Sequence, residues 1–430
     1  MRIWTRAAEV AARTPEARNR YVDFLRAVSI FLVISGHWIA AAPYLDEAGK
    51  VVPTHVLAEA PWTHWLTWVI QVMPIFFMVG GFSNGISWSA ALRDRTGYAA
   101  WLEGRLVRLV GPVLPLVVGW TALGAAAHAA GVSPETVAVG SQMALIPIWF
   151  LAVYVVVVLL TPLSHALWER LGLASFWALA AAAVAVDAVS LGVDAGRALG
   201  WTNYLFVWSA VHQLGYAWRD GHLTGRRTWL WAAGGLAALL ALVTLGPYRV
   251  SMVGVPGEGM SNTTPPKIPL LALAMLQAGA LLALQEPARR WLRRAVPWTA
   301  TVLVNGMIMT IFLWHMTAAV LVIALSVVLG GVGLDVEPVT GRWWTLRPIW
   351  LAVLTAALVP LAVAAARFEN PKRPEGGAPP PAWRLVLGTL LVCSGLAALA
   401  LHGIASEGPL GLRLWAAALP LVGAGLIRRW

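Results

Sequence analysis

The chain has 430 residues, 59% of them hydrophobic and 12% charged, with 25 Trp, one Cys and a net charge of +11. Soluble domains are about 45–50% apolar and about 25% charged, so this composition excludes a soluble cytoplasmic enzyme, and its hydrophobicity excludes a disordered chain. The single Cys393 excludes an internal disulfide framework and a cysteine-based metal cluster.

In chain order, a basic tail at residues 1–20 precedes twelve apolar stretches, near 21–42, 62–88, 105–130, 141–163, 174–195, 202–218, 228–246, 268–285, 299–330, 347–366, 383–404 and 412–427. A bilayer is crossed by a helix of roughly 18 apolar residues or more. The stretches do not alternate as barrel strands do. The expected fold is therefore all-α: a polytopic integral membrane protein of about 12 transmembrane helices. The stretches at 202–218 and 412–427 are short enough to be re-entrant or interfacial. The first is too long for a cleaved signal peptide and contains Arg26, so it reads as an uncleaved span. Residues 247–267 are rich in Gly and Pro and read as a non-helical outer loop. Residues 370–382 (NPKRPEGGAPPPA) read as a linker. It divides the chain into a tail at 1–20, a ten-helix core at 21–371, and a linker with two additional helices at 372–430.

With the tail in the cytoplasm and twelve crossings, 23 of the 31 Lys and Arg fall on the cytoplasmic side. Seven, Arg347 among them, fall on the other side, and Arg26 lies inside the first span. That bias follows the positive-inside rule and puts both termini in the cytoplasm. The charge of +11 is then a topology signal, and nucleic acid drops out as a partner.

Ionisable residues inside a span are costly and point to function. The first span holds Asp23, Arg26 and His37. Asp23 and Arg26 are one turn apart and can pair. Eleven residues carry His37 about 20° past three full turns from Arg26, on the same face and about 16 Å along the axis. Such a line describes a polar channel or the wall of an active site, and a neutral imidazole can take a proton from a hydroxyl. The alternative is snorkelling for Asp23 and Arg26 and a hydrogen-bonded core histidine at His37. Asn262-Thr263-Thr264 fits a glycosylation acceptor by pattern alone. No metal-binding motif is present.

These residues also carry a resemblance. Arg26 and His37 in YVDFLRAVSIFLVISGH resemble the R-X10-H signature of the membrane acyltransferase-3 family, inner-membrane acyl-CoA-dependent O-acyltransferases. Further similarities follow in order: MPIFFMVGGF at 73–82, Arg105-Leu-Val-Arg108 with Pro112, Trp149-Phe-Leu-x-x-Tyr154 with Pro162, Phe312-Leu-Trp-His315, and Glu369 with Pro371. They cover about residues 18–372. Gly80 departs from the family's usual Ser, and Phe312 from a common Tyr.

The resemblance implies transfer of an acyl group, acetyl above all, from cytosolic acyl-CoA as co-substrate to a hydroxyl of an envelope glycan, lipid or small molecule. His37 would be general base or acyl relay and Arg26 would guide the donor, with Asp23 counted beside them as a catalytic residue. Arg105 and Arg108, at the cytoplasmic mouth of the third span, suit the phosphates of CoA. His315, Trp149, Tyr154 and His212 are candidates to contact substrate, although Trp149 and Tyr154 also read as packing or interfacial aromatics. Gln213 accompanies His212, and Asp187 in the fifth span reads as a lone acid facing a polar partner. The outer loop at 247–267 would shape the acceptor's approach. Membrane lipid, acyl-CoA and a hydroxyl-bearing acceptor are the expected partners, with no metal. The competing expectation is a proton-coupled secondary transporter using Asp23, Arg26 and His37 as a polar path, against which stands the lack of paired broken helices in corresponding halves.

Overall fold

The computed structural model describes residues 2–369 and 378–428, so most of the expected linker, together with Pro371 and Arg429, lies outside the described residues. Among the described residues the fold is all-α apart from a hairpin of two-residue strands, Tyr44–Leu45 paired with Val51–Val52. It is a polytopic membrane protein. Among the described residues eight helices are long and apolar enough to cross a bilayer, or ten if each of two bent pairs, Pro134–Leu145 with Ile148–Leu159 and Pro269–Ala283 with Gln285–Trp291, counts as one span. The other two expected spans are helices of 17 and 14 residues, Asn203–Arg219 and Leu414–Ile427, short of the length that crosses unaided. Asp23, Arg26 and His37 lie on α1 (Arg20–Ala40), Ser83 on α2 (Met73–Arg93), His212 on α3 (Asn203–Arg219), His315 on α4 (Ile308–Val328) and Arg347 on α5 (Gly341–Ala365).

One correction concerns the stretch at 299–330, expected as a single span. It is broken at Asn305–Met307 into the helix Ala295–Asn305 and α4. The cause is local. Asn305 turns its side chain back to the carbonyls of Thr301 (2.8 Å) and Asp23 (2.9 Å), and Gly306 follows, a residue that weakens helix continuation. The new N-terminus is then capped from a distance in sequence. The Glu369 carboxylate accepts from the backbone N–H groups of Met309 (2.9 Å) and Thr310 (2.7 Å) and from the Thr310 hydroxyl. A carboxylate there satisfies orphan donors and complements the helix dipole.

The residues group into two compact units. The first comprises 1–33, 55–89 and 161–306. In it α2 and α3 pack so closely that a Cβ on Gly81 would collide with the His212 carbonyl, and one on Gly215 with the Met78 carbonyl. The loop 247–267 is non-helical, as expected, but it is packed down. Trp68 Nε1 donates to Val250 O (2.8 Å), Gln71 Nε2 to Met252 O (2.9 Å), and Met252 N to Thr67 Oγ1 (2.8 Å). Asn262 is fully buried, with its amide donating to the carbonyls of Arg249 (2.6 Å) and Ser251 (2.9 Å), which rules it out as a glycan acceptor in the folded protein. Asp187, which reads from sequence as a lone acid, is the loop's anchor. It accepts from Asn203 Nδ2 (2.8 Å), Tyr248 OH (3.2 Å) and Ile268 N (2.9 Å). Asp187→Ala strands three donors around a buried site and is expected to cost about 3 kcal/mol, read as a lowered midpoint of thermal unfolding, whereas a wild-type midpoint would show that the loop is held without it.

The second unit comprises 34–54, 90–160 and 307–430. Here α4 packs on α5 and on Pro134–Leu145, and Trp120 Nε1 donates to Thr317 Oγ1 at 3.0 Å. The C-terminal helices Ala382–His402 and Leu414–Ile427 pair tightly through Gly388, Gly395 and Gly423. The first of them lies against Ile148–Leu159, where Cys393 Sγ contacts Ala152 O at 3.2 Å.

Candidate functional site

The α1 helix runs unbroken from Arg20 to Ala40 and contributes to both units, to the first up to Val33 and to the second from Ile34. Asn19 starts it, its Oδ1 accepting from the Tyr21 N–H at 3.2 Å in the manner of an N-cap. Asp23 follows in the first turn, where the helix dipole favours an anion.

In the first unit Asp23 is 4% exposed and lies between two arginines. Arg18 Nε donates to Oδ2 at 2.6 Å and Arg26 Nη1 to Oδ1 at 3.3 Å. The hydrogen bond from Arg18 to Asp23 raises the Arg18 pKa above its ordinary value. Arg26 Nη2 donates to Ser83 Oγ on α2 at 2.6 Å, and Ser83 in turn donates to Val79 O at 2.9 Å. One buried carboxylate between two guanidinium groups leaves a net positive charge, which draws anions. The pairing of Asp23 with Arg26 is as their spacing implies. Ser83 is not among the sequence candidates. It lies one turn beyond Gly80, where the acyltransferase-3 pattern usually has Ser, and that displacement is the signal that could have found it.

In the second unit His37 meets His315 of α4. The rings stack with centroids 5.2 Å apart and planes 10° from parallel, and His37 Nδ1 lies 2.9 Å from His315 Nε2. His315 is fully buried, and its Nδ1 is 2.6 Å from the Phe312 carbonyl. A carbonyl only accepts, so His315 Nδ1 carries the proton and, in the neutral ring, Nε2 carries the lone pair. His37 Nδ1 must then donate to it, and the lone pair of His37 falls on Nε2. Trp38 Nε1 donates to the His315 carbonyl at 3.0 Å and fixes the backbone beneath the pair. His37 is half-buried while His315 is sealed, an arrangement in which one imidazole can meet a substrate and the other orients it.

The remaining candidates divide. Tyr154 stacks on Phe150 (5.7 Å), Phe150 meets Phe312 edge-on (5.8 Å), and Phe312 lies 6.2 Å from the His315 ring. Tyr154 is thereby joined to the histidine pair through an aromatic chain, and Phe150 and Phe312 belong with it. Trp149 is half-buried beside Phe150. Arg105 sits half-buried with its guanidinium 5.9 Å from the Trp101 ring, and Arg108, one turn on, is exposed. His212 belongs to the first unit and is fully enclosed, its Nε2 3.2 Å from Asn84 Nδ2 and its ring edge-on to Tyr216. Gln213 beside it donates to the carbonyl and hydroxyl oxygens of Ser164 (3.0 and 3.2 Å). Among the described residues no group of three His, Cys, Asp or Glu side chains could hold a metal ion.

No curated protein and no solved structure matches the chain. The sequence pattern described as the acyltransferase domain of the acyltransferase-3 type matches residues 19–367, a span that takes in Asp23, Arg26, His37, Arg105, Arg108, Trp149, Tyr154, His212 and His315. The chain therefore belongs to the acyltransferase-3 family and is a membrane-embedded acyltransferase.

Proposed function

We propose that the chain transfers an acetyl group from cytosolic acetyl-CoA to a hydroxyl of an envelope glycan, lipid or small-molecule acceptor at the cytoplasmic membrane, with both termini in the cytoplasm. The ten-helix core at 21–371 would do the chemistry, and 372–430 would be an added pair. The observation that carries this reading is the His37–His315 pair, 2.9 Å apart, in a chain of this family.

The tautomer gives His37 Nε2 the lone pair, which is where a general base must take its proton. In direct transfer the acceptor oxygen attacks the thioester carbonyl while His37 Nε2 takes the hydroxyl proton. Positive charge growing on His37 strengthens its Nδ1–H bond to His315. The tetrahedral adduct then collapses, the C–S bond breaks, and the CoA thiolate recovers the proton from His37. In a two-step route His37 Nε2 attacks the carbonyl itself, the C–S bond breaks and CoA leaves as thiolate; the acceptor hydroxyl then attacks the acylated ring, the C–N bond breaks, and the hydroxyl proton ends on the CoA thiolate. Arg18 and Arg26 around Asp23 would draw the anionic donor to the near end of α1. The exposed Arg108 and the half-buried Arg105 would meet the CoA phosphates, for which the guanidinium fork is suited.

The test needs no acceptor. Acetyl-CoA is titrated into the detergent-solubilised protein by calorimetry, beside Arg26→Ala and Arg108→Ala. Saturable binding is expected, weakened about tenfold or more in each variant, since each removes a charge-assisted contact. An unchanged affinity in Arg108→Ala would reduce that residue to a topology anchor. No binding by a folded wild type would leave the transporter reading ahead.

A further inference from the structure

Arg347, buried in the second unit, has no counter-ion among the described residues. Arg347 lies on α5 in the segment Trp343-Trp344-Thr345-Leu346-Arg347-Pro348-Ile349-Trp350 and is only 8% exposed. Its guanidinium carbon stands 3.7 Å from the centroid of the Trp343 ring and 5.6 Å from that of Trp350. Arg347 Nε and Nη1 are closed off from the surface without a hydrogen-bond partner, and so is Nε1 of Trp343, itself 1% exposed. No ion pair or hydrogen bond joins Arg347 to any described residue.

An arginine near a membrane surface ordinarily snorkels its head to water. Arg347 does not, for protein covers it. The indole of Trp343 offers a cation–π contact, but that contact uses the face of the guanidinium and leaves its in-plane N–H groups unanswered. Buried donors are bonded in the great majority of cases, and a buried charge lacking both partner and hydrogen bonds is strongly disfavoured. Here three donors and one positive charge sit together with no acceptor. A guanidinium edge with an indole N–H beside it matches an oxyanion that has several acceptor oxygens.

The position is built rather than incidental. The loop between α4 and α5 is pinned where Leu45 N, in the hairpin that follows His37, donates to Leu334 O at 2.8 Å. Gly333, with φ +84°, lies against the Trp350 ring, 3.2 Å from where a Cβ would stand. The Trp350 ring thus neighbours both Gly333 and the guanidinium. Glu369 caps the start of α4 from beyond the far end of α5, so Arg347 lies at the opposite end of α5, about 30 Å from Glu369 at 1.5 Å per residue.

We propose that Arg347 and Trp343 form a binding site for a phosphate group, supplied either by a lipid headgroup or by a soluble phosphate-bearing ligand. The site is separate from the histidine pair and stands independently of the donor chemistry.

Thermal unfolding of the full-length protein in detergent tests it, with wild type beside Arg347→Gln, Arg347→Lys and Trp343→Phe. The probes are inorganic phosphate against chloride at matched ionic strength, and phosphatidic acid against diacylglycerol of the same chains. The wild-type midpoint is expected to rise saturably with a phosphate-bearing probe and to stay flat with its control. A rise with phosphatidic acid alone assigns the site to a lipid headgroup, and a rise with inorganic phosphate as well assigns it to a soluble ligand. Arg347→Gln should lose the rise. Arg347→Lys, which keeps the charge without the fork, and Trp343→Phe, which keeps the ring without the N–H, should each need about tenfold more probe for half-saturation. If Arg347→Gln fails to fold, the other two variants decide. A flat wild-type response to both phosphate probes, or half-saturation in the folded variants equal to wild type, would overturn the proposal.

Discussion

His37→Ala is expected to all but abolish acetyl transfer, with kcat lowered about a hundredfold or more, while the protein folds and still binds acetyl-CoA. A general base is worth roughly 10²–10⁴ in rate, and an obligatory acyl relay more. The fold should survive because His37 is only half-buried and a helix of this length tolerates Ala. The loss on the partner side is one hydrogen bond to His315 Nε2, about 1–3 kcal/mol. His37→Gln sharpens the test, since its amide can still donate to His315 Nε2 but cannot take a proton from a hydroxyl. Turnover is followed by release of free CoA thiol in the presence of acceptor. If the Gln variant turned over like wild type, His37 would be a structural partner of His315 and no base. Brief exposure to radiolabelled acetyl-CoA without acceptor separates the two routes. Label retained on wild type and absent from His37→Ala indicates the relay, and no label on either indicates direct transfer.

How much of this was legible in the sequence depended on the range of the interactions. Within α1 the helical period alone put Asp23, Arg26 and His37 in line and made the Asp23–Arg26 pair predictable, because the partners are three residues apart. The partner of His37 is 278 residues away, and nothing in its local pattern names it. His315 could be noticed only as an ionisable residue inside a span. The same holds for Glu369. Its place beside the family's closing element was visible, but its role in capping α4 appears only when the break at Asn305–Met307 is seen to leave donors bare. The loop at 247–267 was recognisable as non-helical from its Gly and Pro content. That it is packed down depends on Thr67, Gln71 and Asp187, residues whose partners composition does not reveal. Arg347 counted in the sequence only as one of seven outer cations. The tryptophans four residues before it and three after were the signal of a buried guanidinium, since at helical spacing they share its face.

His315 should matter through His37 rather than by touching substrate, and its substitutions are expected to separate by hydrogen-bonding capacity. In His315→Gln the amide oxygen can still accept from His37 Nδ1–H, holding the lone pair on Nε2. In His315→Phe the ring volume is kept and the acceptor is lost. His37 is then free to take the other tautomer or to rotate, and the imidazolium formed during transfer has no partner. Loss of the group that orients a catalytic histidine costs up to about 10⁴ in kcat when it forces the wrong tautomer. The expectation here is a fall of about 10²–10³ for Phe and about tenfold for Gln, with acetyl-CoA affinity unchanged in both, because the interaction is realised as charge develops. Equal activity in the two variants would show that the 2.9 Å contact packs the two helices and does not poise the base.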